Sequence, residues 1–189
     1  MDLNKNPTVE KTCERTWPSG RALRLGVLLA GLSFASTVSA PTVDAQSSPR
    51  PGQEVVLVTG STSGLGREVA RRLGSMGAFV IVHGRNRERG MEVVEAIERE
   101  GVGNARFYAA DLSSFDQVRE FGGTILRDYD RLDVLVNNAG FGSAPDERMV
   151  TEDGHEFRFQ VNHLSHFLLT RMFLPRLREN APSRIVNVS

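Results

Sequence analysis

The sequence predicts an α/β fold in which a parallel sheet is covered by helices on both faces. After residue 53, short apolar runs alternate with longer segments whose apolar residues recur at helical spacing. The first apolar run leads directly into a turn with glycines at 60, 64 and 66, and a helical segment follows that turn. This alternation is typical of parallel strands that are buried on both faces.

Five short segments, most of them apolar, are predicted to be strands. They cover residues 55–58, 79–82, 106–109, 134–136 and 185–188. The segments between them predict helices over 65–76, 87–100 and 114–127, and a long helix from Phe157 that ends or is distorted near Pro175. Ser113 or Ser114 is the expected N-cap of the third helix. Right-handed crossovers then give the strand order 3-2-1-4-5.

The glycine-rich turn has the form of a phosphate-binding loop. Backbone N–H groups at a helix N-terminus, together with the helix dipole, attract the charge of a pyrophosphate. Gly60 is expected to form the tight turn, Gly64 to let the pyrophosphate approach, and Gly66 to allow close helix packing. Leu65 lies between the last two glycines, and the hydroxyls of Ser61, Thr62 and Ser63 either contact the ligand or cap the turn.

Two motifs together carry a family resemblance. The turn reads Thr59-Gly-x-x-x-Gly-x-Gly66, and Asn137-Asn138-Ala139-Gly140 follows the fourth predicted strand. In this order they resemble the short-chain dehydrogenase/reductase family, and residues 151–170 resemble its retinol-dehydrogenase-like branch. The resemblance begins near residue 54. It implies a Rossmann-like three-layer αβα domain, truncated at its C-terminus, that transfers hydride between NAD(P) and an alcohol or carbonyl substrate.

The resemblance also assigns roles at the ends of the third and fourth strands. Asp111 matches the acid that accepts a hydrogen bond from the adenine amino group, and Leu112 would pack near the base. A helix cap is the alternative role for Asp111. Asn138 matches the residue whose amide ties the fourth strand to its neighbours, while Ala139 and Gly140 keep the floor of the cofactor cleft low.

The end of the second strand favours NADP over NAD. An NAD site usually places a carboxylate there to bind the ribose diol. This chain has His83-Gly84-Arg85 instead, with no acid. A guanidinium binds a 2′-phosphate bidentately, whereas a carboxylate repels it. Arg85 is therefore the candidate 2′-phosphate ligand, with a solvated loop charge as the alternative.

Asn162 matches the asparagine of the family's catalytic tetrad, where a helix distortion helps to place a water molecule in a proton relay. His163 and His166 lie on the same predicted helix, but no third residue has convincing spacing, so no metal site is expected.

The remaining catalytic residues of the family have no match. The tyrosines are Tyr108 and Tyr129, the lysines are Lys5 and Lys11, and no Tyr-x-x-x-Lys occurs. Ser189 matches the first serine of the family's Val-Ser-Ser strand ending and not the catalytic second one. We therefore expect these residues to be a fragment of an oxidoreductase, with a non-catalytic nucleotide-binding module or pseudoenzyme as the alternative.

The N-terminus resembles a targeting segment. Basic residues precede the uncharged, mostly apolar stretch 25–35, and small residues lead to Ala45, a candidate signal-peptidase site. Residues 1–45 are predicted to be a cleavable export signal, with a membrane anchor or a cytoplasmic protein as alternatives. Residues 46–53 are polar and contain prolines, which predicts a linker before the domain at 54–189.

Composition excludes several other classes of protein. Formal net charge is zero, so no basic field for nucleic acid is present. The single cysteine, Cys13, precedes the domain and cannot form a disulfide within the chain. Arg67 and Glu68 follow the turn where a P-loop needs Lys and Ser or Thr, and the acid that a methyltransferase needs near residue 84 is missing.

An exposed fifth strand would favour association through the sheet edge or homo-oligomers.

Overall fold

The computed structural model describes residues 48–142 and 148–189, which contain a five-stranded parallel sheet with the order β3-β2-β1-β4-β5. The strands are β1 (Val55–Val58), β2 (Phe79–Gly84), β3 (Asn104–Ala109), β4 (Val134–Asn137) and β5 (Arg184–Asn187). The helices are α1 (Gly64–Ser75), α2 (Arg87–Glu100), α3 (Phe115–Asp128), α4 (Phe157–Phe159) and α5 (Ser165–Glu179). A π-helical turn, Gln160–Leu164, joins α4 to α5. The predicted fold class and strand order are confirmed.

The long C-terminal helix differs from its prediction in one respect. Pro175 lies inside α5 and does not end it. Proline removes the N–H that would bond to the carbonyl four residues earlier. That residue, Arg171, is exposed, and the helix continues past the proline to Glu179.

Apolar side chains of the strands alternate between two cores. Leu57, Ile81 and Leu135 point to one face of the sheet and pack against α3 and α5. Val56 and Val80 point to the opposite face, where α1 and α2 lie. Because neighbouring residues of a strand point to opposite faces, a sheet covered on both sides needs the continuous apolar runs that the sequence shows.

Helix α1 approaches its neighbours most closely through small residues. Of the four apolar residues whose spacing predicts it, Val69 and Leu73 are partly buried against the core, whereas the two at the ends are exposed. Leu65 is 60% exposed and Met76 is 73% exposed. The buried positions are Gly66, Ala70 and Gly74, which are spaced four residues apart. A Cβ on Gly74 would lie 2.5 Å from Ile97 Cγ2, so the helix reaches this position only because the side chain is missing. The predicted helix is confirmed, and its small residues set how closely it packs.

The described part of the predicted linker is attached to the domain. Asn104 Nδ2 donates to the Ser48 carbonyl at 2.8 Å, and Gln53 Nε2 donates to the Gly77 carbonyl at 2.8 Å. Residues 48–53 therefore lie against the amino ends of β2 and β3. The proposed signal segment 1–45 lies outside the described residues. No helix within 48–142 and 148–189 has the length and hydropathy needed to cross a membrane.

Candidate cofactor site

A cleft of about 710 Å³ lies at the carboxyl ends of β1 to β4. Parallel α/β sheets bind their ligands outside the carboxyl ends of the strands, at the point where the strand order reverses. The predicted cofactor residues that line the cleft are Gly60, Thr62, Ser63, Gly64, Leu65, Gly66, Arg85, Asp111, Leu112, Asn138, Ala139 and Gly140. Ser61 is absent from this lining.

Ser61 serves the turn and not the cleft. It is fully buried, its hydroxyl donates to the Val58 carbonyl at 2.8 Å, and it accepts the His83 backbone N–H at 3.0 Å. These bonds join the ends of β1 and β2. Of the two roles left open for the Ser61 hydroxyl, these bonds support the cap of the turn.

The start of α1 can bind an anion. Ser63 is its N-cap residue but makes no side-chain capping bond, and the first turn contains no acidic residue. The N–H groups of this turn therefore lack the partner that a cap normally provides. Gly64 has φ +53°, and a Cβ built on it would meet no protein atom within 4 Å. The amides and the dipole of α1 are accessible to a phosphate from the cleft.

The cleft floor is held by side-chain bonds between β1 and β4. Asn138 Nδ2 donates to the carbonyls of Thr59 at 2.9 Å and Gly60 at 3.3 Å. The Thr59 hydroxyl oxygen accepts the backbone N–H groups of Asn138 at 2.9 Å and Ala139 at 3.0 Å. Gly60 has φ +63°, and a Cβ on it would lie 2.7 Å from Ala139 Cα. The floor is thus low because both sides lack bulky side chains.

Arg85 and Asp111 are the charged residues among those that line the cleft. Arg85 Nη1 lies 3.7 Å from Asp111 Oδ2, and the Arg85 side chain is 56% exposed. Asp111 Oδ1 accepts from the backbone N–H and hydroxyl of Ser113 at 2.9 and 2.8 Å. Ser114, and not Asp111, is the N-cap of α3, so Asp111 does not take its alternative role. Leu112 is buried beside it.

His83 is a neutral part of the cleft wall. Gly60 N–H donates to its Nδ1 at 3.2 Å, so the neutral ring carries its proton on Nε2. The pKa of His83 is lowered to about 4, chiefly by burial and also by the neighbouring His166, against the opposing effects of the Ala110 backbone and Asp111. The ring therefore adds no positive charge to the cleft at neutral pH.

Asn162 lies in the π-helical turn, where the Ser165 N–H bonds to the Gln160 carbonyl five residues earlier. Its Oδ1 accepts the Phe141 N–H at 2.9 Å, and its Nδ2 donates to the Phe141 carbonyl at 3.3 Å. The helix distortion implied by the resemblance is thus present. Asn162 faces a second cavity of about 360 Å³, which also borders Thr170 and Ser189.

His166 joins this turn to the cofactor loop. Its Nδ1 lies 3.1 Å from the Asn162 carbonyl and its Nε2 lies 3.0 Å from the Thr59 hydroxyl. A carbonyl can only accept, so Nδ1 carries the proton and Nε2 accepts from Thr59. Burial lowers the pKa of His166, which favours this neutral form. Within 48–142 and 148–189, no group of three His, Cys, Asp or Glu residues is arranged to hold a metal ion.

Three contributors to the site had no role assigned from the sequence. Thr59 and His166 belong to quoted motifs, but their bond spans 107 positions and no local pattern reveals it. Phe141 immediately follows the Asn-Asn-Ala-Gly element, and its ring lies under the Arg85 guanidinium, with 5.3 Å from Cζ to the ring centroid. The sequence signal that could have identified Phe141 was its position just after the fourth predicted strand and the Asn-Asn-Ala-Gly element.

Comparison with known proteins gives concordant matches. The family model for short chain dehydrogenase matches residues 54–189. Retinol dehydrogenase 14 of Homo sapiens is 45% identical over 150 residues, which covers 72% of this chain and 44% of that protein. Polyprenol dehydrogenase of Mus musculus is 45% identical over 149 residues, which covers 74% of this chain and 42% of that protein. The chain therefore spans less than half the length of these curated relatives.

A solved structure gives the same result in three dimensions. A metagenomic short-chain oxidoreductase in complex with NADP superposes with a TM-score of 0.62 at 36% sequence identity. The match covers 73% of this chain and 61% of that one.

Proposed function

The chain belongs to the short-chain dehydrogenase family, and we propose that it binds NADP(H) for hydride transfer between this cofactor and an alcohol or carbonyl substrate. The observation that carries the proposal is the Arg85 guanidinium at the edge of the cleft, beyond the end of β2. A nicotinamide dinucleotide supplies the hydride donor or acceptor when it is bound.

The N-terminal turn of α1 would hold the pyrophosphate. Its uncapped amides and the open space beside Gly64 suit a doubly charged group that must approach the backbone closely. Asp111 and Leu112 would border the adenine, with a carboxylate oxygen for the amino group and a buried apolar side chain for the ring.

The preference for NADP over NAD would come from Arg85. Its ion pair with Asp111 is long and exposed, so it contributes little and can be exchanged for a phosphate. A guanidinium bonded to a phosphate forms charge-assisted hydrogen bonds of about 1.5–3 kcal/mol. No acidic residue lies between His83 and Arg87 to repel the 2′-phosphate.

The catalytic chemistry would need residues that these 189 positions do not supply. Asn162 shapes the helix beside the second cavity, but proton transfer by general acid and base groups, worth about 10²–10⁴ in rate, needs the missing tyrosine and lysine. We propose that the present residues bind the cofactor and that the tyrosine and lysine follow Ser189 in the coding sequence. A second serine, then a tyrosine with a lysine four residues later, would support this view.

Cofactor titration tests the proposal. We expect NADPH to bind the chain more tightly than NADH, and Arg85→Ala to reduce that preference by about 1–3 kcal/mol. Arg89→Ala is the matched control, because Arg89 is also exposed but lies on α2 outside the cleft lining. Equal affinity of the unmodified chain for both cofactors would refute the NADP assignment.

Turnover measurements separate the enzyme from a non-catalytic binding module. NADPH oxidation should be followed with a carbonyl substrate, beginning with the aldehyde of retinol because a similar protein is named for that alcohol. Binding without turnover, if the coding sequence beyond Ser189 also lacks the tyrosine and lysine, would favour the binding module.

We also propose that the protein is exported and that it associates through an exposed sheet edge. Export with cleavage after Ala45 predicts a mature protein that begins near Gln46, which N-terminal sequencing would detect. All four residues of the edge strand β5 are exposed, which suits association through this edge. Size measurement in solution over a range of protein concentrations would test this association.

A further inference from the structure

Phe141 contacts both Asn162 in the π-helical turn and Arg85 at the edge of the cleft. Its backbone is bonded at both N–H and carbonyl to the Asn162 side chain, at 2.9 and 3.3 Å. Its half-buried ring packs edge-on against Phe157, with centroids 5.1 Å apart and planes at 76°. Backbone and ring are therefore both fixed from the side of the π-helical turn, and the remaining ring surface has a defined position in the cleft.

The Arg85 guanidinium lies over this ring. Its Cζ is 5.3 Å from the ring centroid, within the range at which a cation is attracted to an aromatic face. Arg85 begins beyond β2 and Phe141 follows β4, so the side chain reaches across the end of β1, which lies between them. A long side chain with more than half its surface exposed would otherwise sample many rotamers.

The ring and the Asp111 carboxylate act on the guanidinium in different ways. The carboxylate, 3.7 Å away, competes with a phosphate for the N–H groups. An aromatic ring attracts the cation without needing those N–H groups, which stay available for bidentate bonding. A phosphate would thus replace Asp111 as the partner of Arg85 while the contact with Phe141 persists.

We propose that Phe141 is a specificity-determining residue that positions Arg85 for the 2′-phosphate of the cofactor. This inference rests on the proposed binding of NADP. Phe141 sets how strongly the chain distinguishes the phosphorylated from the unphosphorylated dinucleotide, and it does so through Arg85 and without touching the phosphate.

The test compares dissociation constants of NADPH and NADH for Phe141→Leu, Phe141→Met and Phe141→Tyr. Replacement by leucine or methionine keeps the backbone bonds to Asn162 and removes the aromatic face. We expect either change to lower the NADPH-to-NADH preference about two- to five-fold, the worth of an exposed cation–π contact. NADH affinity should change by less, and tyrosine should retain the preference because it retains the ring.

A double-mutant cycle with Arg85→Ala tests whether Phe141 affects the cofactor preference through Arg85. If Phe141 acts through Arg85, Phe141→Leu should not reduce the preference further once Arg85 is alanine. The same reduction in both backgrounds would overturn the inference, as would an unchanged preference in Phe141→Leu or an equal loss of both cofactors. A wild-type chain with no preference for NADPH would instead refute the proposed cofactor, so the two failures are distinguishable.

Discussion

Alanine substitution at two glycines of the cofactor turn should separate folding from binding. A Cβ at position 66 would lie 2.3 Å from Asn138 Nδ2 and 2.4 Å from the Gly60 carbonyl oxygen. Ordinary contact begins near 3.4 Å, so these groups must move by about 1 Å. The two groups are bonded to each other at 3.3 Å, and the added methyl would force them apart.

The expected cost of Gly66→Ala follows from these contacts. Overpacking a tight site costs about 1–3 kcal/mol, and a weakened hydrogen bond adds about 1 kcal/mol. The higher helix propensity of alanine returns up to about 1 kcal/mol. We therefore expect the free energy of unfolding to fall by about 1–4 kcal/mol.

Gly64→Ala is the matched comparison two residues earlier. A Cβ there meets no protein atom within 4 Å, so the cost is limited to the left-handed φ of +53°, about 1 kcal/mol. A methyl beside the amides of α1 would, however, keep a phosphate from close approach. Loss of one charged hydrogen bond of at least about 1.5 kcal/mol weakens NADPH binding roughly tenfold or more.

The assay is urea unfolding followed by circular dichroism, paired with NADPH titration of each variant under folding conditions. Gly66→Ala should show the larger loss of stability, and Gly64→Ala the larger loss of affinity for the protein that remains folded. Full stability of Gly66→Ala would refute the close packing of α1 on Asn138. Unchanged NADPH affinity of Gly64→Ala would refute the phosphate site.

Two further predictions concern the buried histidines. The pKa of His83 is about 4 in the folded chain against 6.5 when unfolded, so the unfolded state binds more protons between these values and stability falls as pH is lowered through them, by about 3 kcal/mol in total. Urea unfolding at several pH values should show a shallower pH dependence for His83→Gln, and equal slopes would contradict the assignment. His166→Phe should cost about 1–3 kcal/mol, because the Thr59 hydroxyl and the Asn162 carbonyl each lose the hydrogen bond to the imidazole ring. His163→Phe, at an exposed position three residues earlier, should stay within about 0.5 kcal/mol in the same measurement.

Local sequence patterns were sufficient for the elements of this fold. The predicted strand segments match β1 to β5 within two residues at each end, and the continuous apolar runs of β1 and β2 reflect burial on both faces. Periodicity identified α1 as a helix but did not show how closely it approaches its neighbour, because that distance depends on the size of the side chains between them. Gly74 against Ile97 shows that the small residues, and not Leu65 or Met76, determine that approach.

The sequence by itself determined where the glycine-rich loop lies and which charge stands at the end of the second strand. Both are local features, because the glycines lie close together along the chain and the absence of an acid concerns the residues next to Arg85. Only the tertiary structure decided that Ser61 serves the turn, that Arg85 lies over Phe141, and that His166 joins Thr59 to Asn162. These contacts arise because a parallel sheet gathers the carboxyl ends of strands that are distant in sequence, and side-chain geometry at that edge depends on the order of the strands.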